Sequence, residues 1–248
     1  MKILEVKNLK KSYYSNSGET KAIEDFSFSF EEGEFVSIVG PSGCGKSTLL
    51  SIIANLENKT SGDIISSNKK IGYMFQQDAL FPWRTVLKNC LLSLEVEKKV
   101  NKESINNIIN LLNKYGLHDF IYKYPNELSG GMRQRVALIR TLASNPDILL
   151  LDEPFSALDY QTRLELSNDL YKIIKSEGKT TIMVTHDIAE AISLSDKVII
   201  LSDRPSTIKK VLNINLTNKS TPINNRKCPE FNYYYESIWK EINRNEYI

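Results

Sequence analysis

Phe35-Val-Ser-Ile-Val39 delivers the chain into Gly40-Pro-Ser-Gly-Cys-Gly-Lys-Ser-Thr48, and the reading of this stretch decides the fold. The first part is a compact apolar run of strand length. The second fits G-x-x-x-x-G-K-[ST] without a mismatch, and a helical pattern from Thr48 to Leu56 follows it. Its chemistry is that of an anion cradle. Glycines let backbone N–H groups wrap phosphates, Lys46 neutralises the β and γ groups, and the Ser47 hydroxyl can ligate Mg²⁺. Gly40, Pro41, Ser42, Gly43, Cys44, Gly45, Lys46, Ser47 and Thr48 are therefore candidate nucleotide-binding residues. The competing account is a chance match in a glycine-rich turn, which the strand-before, helix-after context disfavours.

A second segment, Leu128-Ser-Gly-Gly-Met-Arg-Gln134, also sets glycines ahead of a helical pattern, where free N–H groups and the positive helix end favour an anion. One nucleotide needs one cradle. Two in one chain point to a second nucleotide, held by another molecule.

Outward from these segments, Leu4, Val6, Phe26, Phe28 and Phe30 alternate at period two and predict strands of a partly exposed sheet. Ile71–Phe75, Ile148–Leu151, Thr181–Val184 and Val198–Leu201 read as further strands, and helical patterns intervene. From about 86 to 142 the pattern is mostly helical, with Ile105, Ile108, Ile109 and Leu112 on one face. Strands alternating with helices predict an α/β fold with a parallel-rich sheet covered on both faces. Residues 213–227 are rich in Asn, Thr, Lys and Pro and read as a polar linker. Beyond them Phe231, Tyr234, Tyr235, Ile238, Trp239 and Ile242 form one apolar stripe, which either packs on its own domain or docks a partner.

Ile148–Leu151 ends in Asp152-Glu153-Pro154. Two carboxylates at a strand tip suit a metal-dependent phosphate site, with Asp152 on Mg²⁺ and Glu153 polarising a water as general base. A solvated turn is the plainer account of two adjacent acids taken alone.

The composition excludes several classes. With 32 basic and 30 acidic residues the net charge is +2, and no basic block marks a nucleic-acid binder. The three cysteines, Cys44, Cys90 and Cys228, form no CxxC pair, which argues against a disulfide framework or a zinc site. The N-terminus enters its first strand pattern without a signal-peptide core, and no apolar run is long enough to cross a bilayer. The expected location is the cytosol, with any membrane part supplied by a partner.

Taken together, these residues resemble the ATP-binding subunit of an ABC transporter, and the likeness runs nearly end to end. Leu128–Gln134 resembles the family signature, Phe75-Gln76-Gln77 the Q-loop, Ser156-Ala-Leu-Asp159 the D-loop and Val184-Thr-His-Asp187 the switch loop. The resemblance implies a P-loop ABC-type ATPase core over residues 1–215, with an N-terminal antiparallel β region and a helical insert at about 86–142. A C-terminal linker and helix would fill 216–248. It implies ATP and Mg²⁺ as cofactors. Glu153, His186 and Gln76 would be catalytic, and Ser47, Gln76 and Asp152 metal ligands. Tyr13 would stack on adenine, with Tyr14 as the fallback. Ser129, Gly130, Gly131 and Gln134 would contact nucleotide across a head-to-tail homodimer. His118 has no assigned role.

Leu80-Phe-Pro-Trp-Arg-Thr85, Glu190-Ala-Ile192, Arg204-Pro205 and the Cys228–Trp239 tail are similar to the nitrate, sulfonate and taurine importer branch. That likeness implies an integral-membrane permease, an extracytoplasmic solute-binding protein, and residence at the cytoplasmic face of the membrane. Phe81 and Trp83 either line a permease-docking groove or belong to the core of the helical insert. Two other classes compete. A soluble mechanical ABC ATPase carries a long coiled coil or a second cassette, and this chain has neither. A P-loop kinase has no use for the signature string.

Overall fold

The computed structural model describes residues 1–16, 18–66, 68–156 and 158–243. Their order is β1 Lys2–Ser15, β2 Gly18–Glu31, β3 Phe35–Val39, α1 Lys46–Ile53, β4 Ser61–Ile65, β5 Ile71–Met74, α2 Val86–Cys90, α3 Leu92–Val96, α4 Lys102–Lys114, α5 Gly130–Ala143, β6 Ile148–Asp152, α6 Tyr160–Ser176, β7 Thr180–Val184, α7 Ile188–Leu194, β8 Lys197–Leu201, β9 Ser206–Asn213, α8 Pro222–Asn225 and α9 Phe231–Ile242. The strands form one sheet in the order β4-β1-β2-β9-β8-β3-β7-β6-β5.

From β8 to β5 every neighbouring pair is parallel, whereas β4, β1 and β2 are antiparallel. β9 joins the two regions, running antiparallel to β8 and parallel to β2. This is the fold class expected from the sequence. β9 itself was not foreseen: Ser206–Asn213 alternates only weakly, and its place is set by β8.

All five residues of β3, β6 and β7 are buried. Alternation within each run sends successive side chains to opposite faces. Leu149, Leu151 and Met183 pack under α4, α5 and α6. Ile148, Leu150, Ile182 and Val184 pack instead against α1, together with Leu4, Phe26 and Phe30 of the antiparallel region. Continuous apolar runs are what a sheet covered on both faces requires.

The first helix differs in extent from the Thr48–Leu56 expectation. It begins at Lys46 because Gly45, at φ 103°, makes the left-handed turn into it. It stops at Ile53 because Asn55 takes a left-handed φ of 58°. The Asn55 and Leu56 amides then close back on Ile52 and Ser51 at 3.0 and 2.9 Å, satisfying the last carbonyls. Within the insert, Ile108 and Leu112 are buried and Ile105 and Ile109 pack against them.

The polar stretch 213–227 is held down along its length. Ile214 and Leu216 are buried, the Lys219 ammonium donates to the Ser195 carbonyl at 2.6 Å, and the Asn225 amide donates to the Ser193 carbonyl at 2.7 Å. α9 then lays Phe231 and Ile238 into a cluster with Val39, Ile192 and Ile200, leaving Tyr233 and Trp239 exposed. Phe231, Tyr234, Ile238 and Ile242 of this stripe pack on the chain's own domain, while Tyr235 and Trp239 are exposed.

Because Ile238 is fully buried, Ile238→Ala is expected to lower unfolding stability by about 2–4 kcal/mol in urea titration. Tyr233→Ala, at an exposed position of the same helix, should stay within roughly 0.5 kcal/mol of the parent.

Candidate functional site

The sheet order brings three strand ends together. β3 lies between β8 and β7, and β7 pairs with β6, so the segments following β3, β6 and β7 share one edge. The Glu153 amide donates to the Val184 carbonyl at 2.9 Å and the Thr185 amide to the Ile38 carbonyl at 3.2 Å. These two bonds extend the pairing just past the strands and fix the acidic tip beside the Thr185–Asp187 loop.

Around this edge lies a cavity of about 640 Å³ lined by Ser42, Gly43, Gly45, Lys46, Ser47, Thr48, Gln76, Glu153, His186 and Arg204. Lys46 is buried, and its ammonium donates to the Gly40 and Pro41 carbonyls at 2.8 and 2.9 Å. Gly40 sits in close quarters, where a Cβ would meet Cys44 Sγ and Leu201 Cβ at 3.1 Å, tighter than ordinary contact. Cys44 faces inward, and burial pushes its thiol up, so it supports the loop from behind.

Below the loop the Ser47 hydroxyl donates to Asp152 Oδ1 at 2.8 Å, and the Tyr73 hydroxyl donates to Oδ2 at 3.0 Å. Burial raises the Asp152 carboxyl above its ordinary range, and the two hydroxyls oppose that shift. Gln76 Nε2 donates to Glu153 Oε2 at 3.2 Å and to Ser156 Oγ at 3.3 Å. His186 Nδ1 lies 3.2 Å from the same Glu153 oxygen, with the imidazole more than half exposed. Glu153 itself holds a φ of 45°, an uncommon backbone for a non-glycine residue.

The donor set fits a nucleotide with Mg²⁺. Among the described residues no cluster of three or more His, Cys, Asp or Glu side chains could hold a metal alone. One hydroxyl and one carboxylate beside a phosphate cradle is what Mg²⁺ uses when substrate oxygens complete its shell. Tyr13 lies near this loop without lining the cavity: its hydroxyl is 3.3 Å from Thr48 Oγ1, and Lys11 Nζ sits 4.6 Å from its ring centroid. Tyr14 is largely exposed.

The second glycine segment is elsewhere. Ser129 caps α5 by accepting the Met132 amide at 3.3 Å, and Gly130 and Gly131 form the first turn. None of the three lines the nucleotide cavity. A Cβ on Gly131 would come 2.9 Å from Thr162 Cγ2, so a larger residue there would displace that α6 side chain. Gln134, grouped with these donors from the sequence, is buried and faces inward, its Nε2 donating to the Gln76 carbonyl at 3.5 Å. Of the D-loop string, Ala157 lies outside the described residues.

Sequence reasoning gave Arg204 no site role and overlooked Tyr73. Arg204 reaches the cavity because β8 neighbours β3, and Tyr73 meets Asp152 because β5 pairs with β6. Nothing local in either segment signals those pairings.

Comparison with known proteins gives the family. Residues 23–156 match the ABC transporter family pattern. The chain belongs to the ABC transporter family. It is 42% identical over 219 residues to the aliphatic sulfonates import ATP-binding protein SsuB of Bacillus anthracis, covering 86% of each chain. It is 40% identical over 247 residues to the nitrate import ATP-binding protein NrtD of Synechocystis sp., covering 95% of this chain and 93% of that one. The dimeric, ADP- and Pi-bound ATP-binding cassette MJ0796 superposes with a TM-score of 0.74 at 34% identity, covering 86% of this chain and 99% of that one. As an ABC ATP-binding subunit, the chain binds and hydrolyses ATP.

Lys46→Ala leaves the cradle without its cation. Calorimetric titration should show ATP affinity reduced at least about 100-fold, from the loss of charge-assisted hydrogen bonds; unchanged affinity would sink the phosphate-loop assignment.

Proposed function

We propose that this chain powers uptake of a small solute through a separate membrane permease, as the ATPase subunit of an importer of the nitrate, sulfonate and taurine type. The observation that carries the reading is the separation of the two glycine segments. A cavity complete with Lys46, Ser47 and Glu153 excludes Ser129, Gly130 and Gly131 of the same chain. Those residues sit at the start of α5 and suit the phosphates of a nucleotide on a second copy. A two-fold pair in which each copy offers both surfaces closes on two nucleotides. The dimeric cassette that this chain resembles supports that arrangement.

Within each site Ser47 and Asp152, with Gln76 nearby, would hold Mg²⁺, which would supply positive charge to the phosphates as hydrolysis proceeds. Glu153 orients and polarises the attacking water. His186 donates to the γ-phosphate, and one such donor can contribute about 10²–10³ in rate. Gln76 Nε2 donates to Glu153 Oε2 at 3.2 Å, which ties the Q-loop to the base.

The names of the relatives support an importer, and a surface groove supports the permease. Phe75, Ala79, Phe81, Leu92 and Val96 line a mainly apolar groove of about 550 Å³ next to the Q-loop. Trp83 stacks on Phe81 at 5.1 Å and is exposed. That groove suits a short amphipathic helix of a membrane partner. Among the described residues no helix is long and apolar enough to cross a membrane. A solute-binding protein outside the cell completes the proposed system.

Glu153→Gln should bind ATP normally, slow hydrolysis at least about 10²-fold and accumulate dimers on a sizing column; a monomeric, fully active variant would refute both roles. Mixing Lys46→Ala with Ser129→Arg tests the pairing itself. Each variant alone should be inactive, while the mixture regains activity from heterodimers that hold one intact composite site. No recovery on mixing would place both segments of the same chain on one nucleotide.

A further inference from the structure

Behind the nucleotide cavity, several elements converge on one carboxylate that the reaction as described does not use. Glu190, in the first turn of α7, is 3% exposed. Its Oε2 accepts the Thr185 hydroxyl at 2.8 Å, and that hydroxyl accepts the Asp187 amide at 3.0 Å. The Glu190 amide in turn donates to Asp187 Oδ1 at 3.0 Å. His186 is therefore flanked on both sides by residues tied to Glu190.

From α6 comes Arg163. Its Nε lies 3.6 Å from Glu190 Oε1, and its Nη1 donates to Asp187 Oδ2 at 3.2 Å. Its Nη2 donates to the Leu158 carbonyl at 3.1 Å, in the loop that follows Glu153. From the C-terminal segment comes Arg226, whose positive charge also acts on Glu190 and whose Nε and Nη2 are buried without a hydrogen-bond partner. Next to it the Asn225 side chain is bonded to the α7 backbone at Ser193.

A helix-anchoring role would need only one of these contacts. What the arrangement adds is a bridge between two loops, one carrying His186 and one starting at Glu153. We propose that Glu190, as a carboxylate, is a positioning residue for ATP hydrolysis: through Thr185 and Arg163 it locks the 185–187 loop to the start of α6 and so keeps His186 at Glu153. The role rests on the assignment of Glu153 and His186 made above.

Proton occupancy of Glu190 gives the role a signature. Burial pushes this carboxyl up to about 7, with the Asp187 charge adding to the shift and with Thr185, Arg163 and Arg226 opposing it. The lock, which needs the charge, engages as pH rises through about 7. Stability moves the other way. A folded-state value raised above the unfolded 4.5 contributes stability that is complete below about 4.5 and lost as pH rises through about 7. Hydrolysis and stability should therefore respond oppositely to pH, which an anchor acting on stability alone would not produce.

The test uses the full chain, with steady-state ATPase and thermal unfolding measured from pH 6 to 8. Glu190→Gln keeps an acceptor for Thr185 but removes the charge. At pH 8 its kcat should fall roughly 10-fold, as for loss of a supporting contact, with KM for ATP within about twofold of the parent. At pH 6 the two proteins should converge, and the variant should be at least as stable as the parent at pH 8. Thr185→Val should slow hydrolysis likewise, and Thr185→Ser should restore it. A Glu190→Gln protein with parental kcat at pH 8, or with a pH profile of parental shape, overturns the proposal. If Glu190→Gln does not fold, a Thr185→Val protein that folds and hydrolyses at the parental rate overturns it equally. The Glu153→Gln protein separates the two levels: if it hydrolyses ATP normally, the site assignment fails, whereas a dead Glu153→Gln beside a normal Glu190→Gln rejects only the lock.

Discussion

Burial of β3, β6 and β7 on both faces is the constraint from which the site follows. A strand with apolar side chains on each side cannot slip by one residue without moving a whole set of contacts into the wrong layer. The register between Leu151 and Met183, and between Ile38 and Val184, is therefore held by two cores at once. The segments leaving these strands inherit that precision. Gly40–Thr48, Asp152–Glu153 and Thr185–Asp187 meet within hydrogen-bonding distance although they lie far apart in the chain. Ligands bind outside the carboxyl ends of parallel strands for this reason.

Much of this was legible beforehand. Both glycine segments, the acidic strand end and the T-H-D string at His186 stand out through local sequence, because each is a fixed short spacing of particular residues. The strands were legible too, since continuous apolar runs mark double burial. Helix ends were less so. Gly45 and Asn55 set the limits of α1 through backbone angles, and the apolar pattern running on to Leu56 masked the stop.

Other features depend on partners distant in sequence. Tyr73 holds Asp152 from the edge strand, and Arg204 enters the cavity from the loop after β8. Gln134 near the start of α5 meets the Gln76 backbone carbonyl of the Q-loop, a contact between segments far apart in sequence. Residues 213–227 look like a linker because their composition is polar. Their few apolar members and two amide or ammonium contacts are enough to seat them against α7 and β8.

By itself the sequence determined where the glycine-rich loop after β3, the acidic end of β6 and the second glycine segment lie, and the α/β class, because each is written in short-range spacing or apolar periodicity. Only the tertiary structure decided that the second glycine segment stands apart from the cavity at the first, that the C-terminal segment closes on the domain, and that Glu190 joins the loops beside Glu153 and His186. Those outcomes depend on strand order and helix packing, where residues far apart in the chain become neighbours, and no local pattern encodes which neighbours they will be.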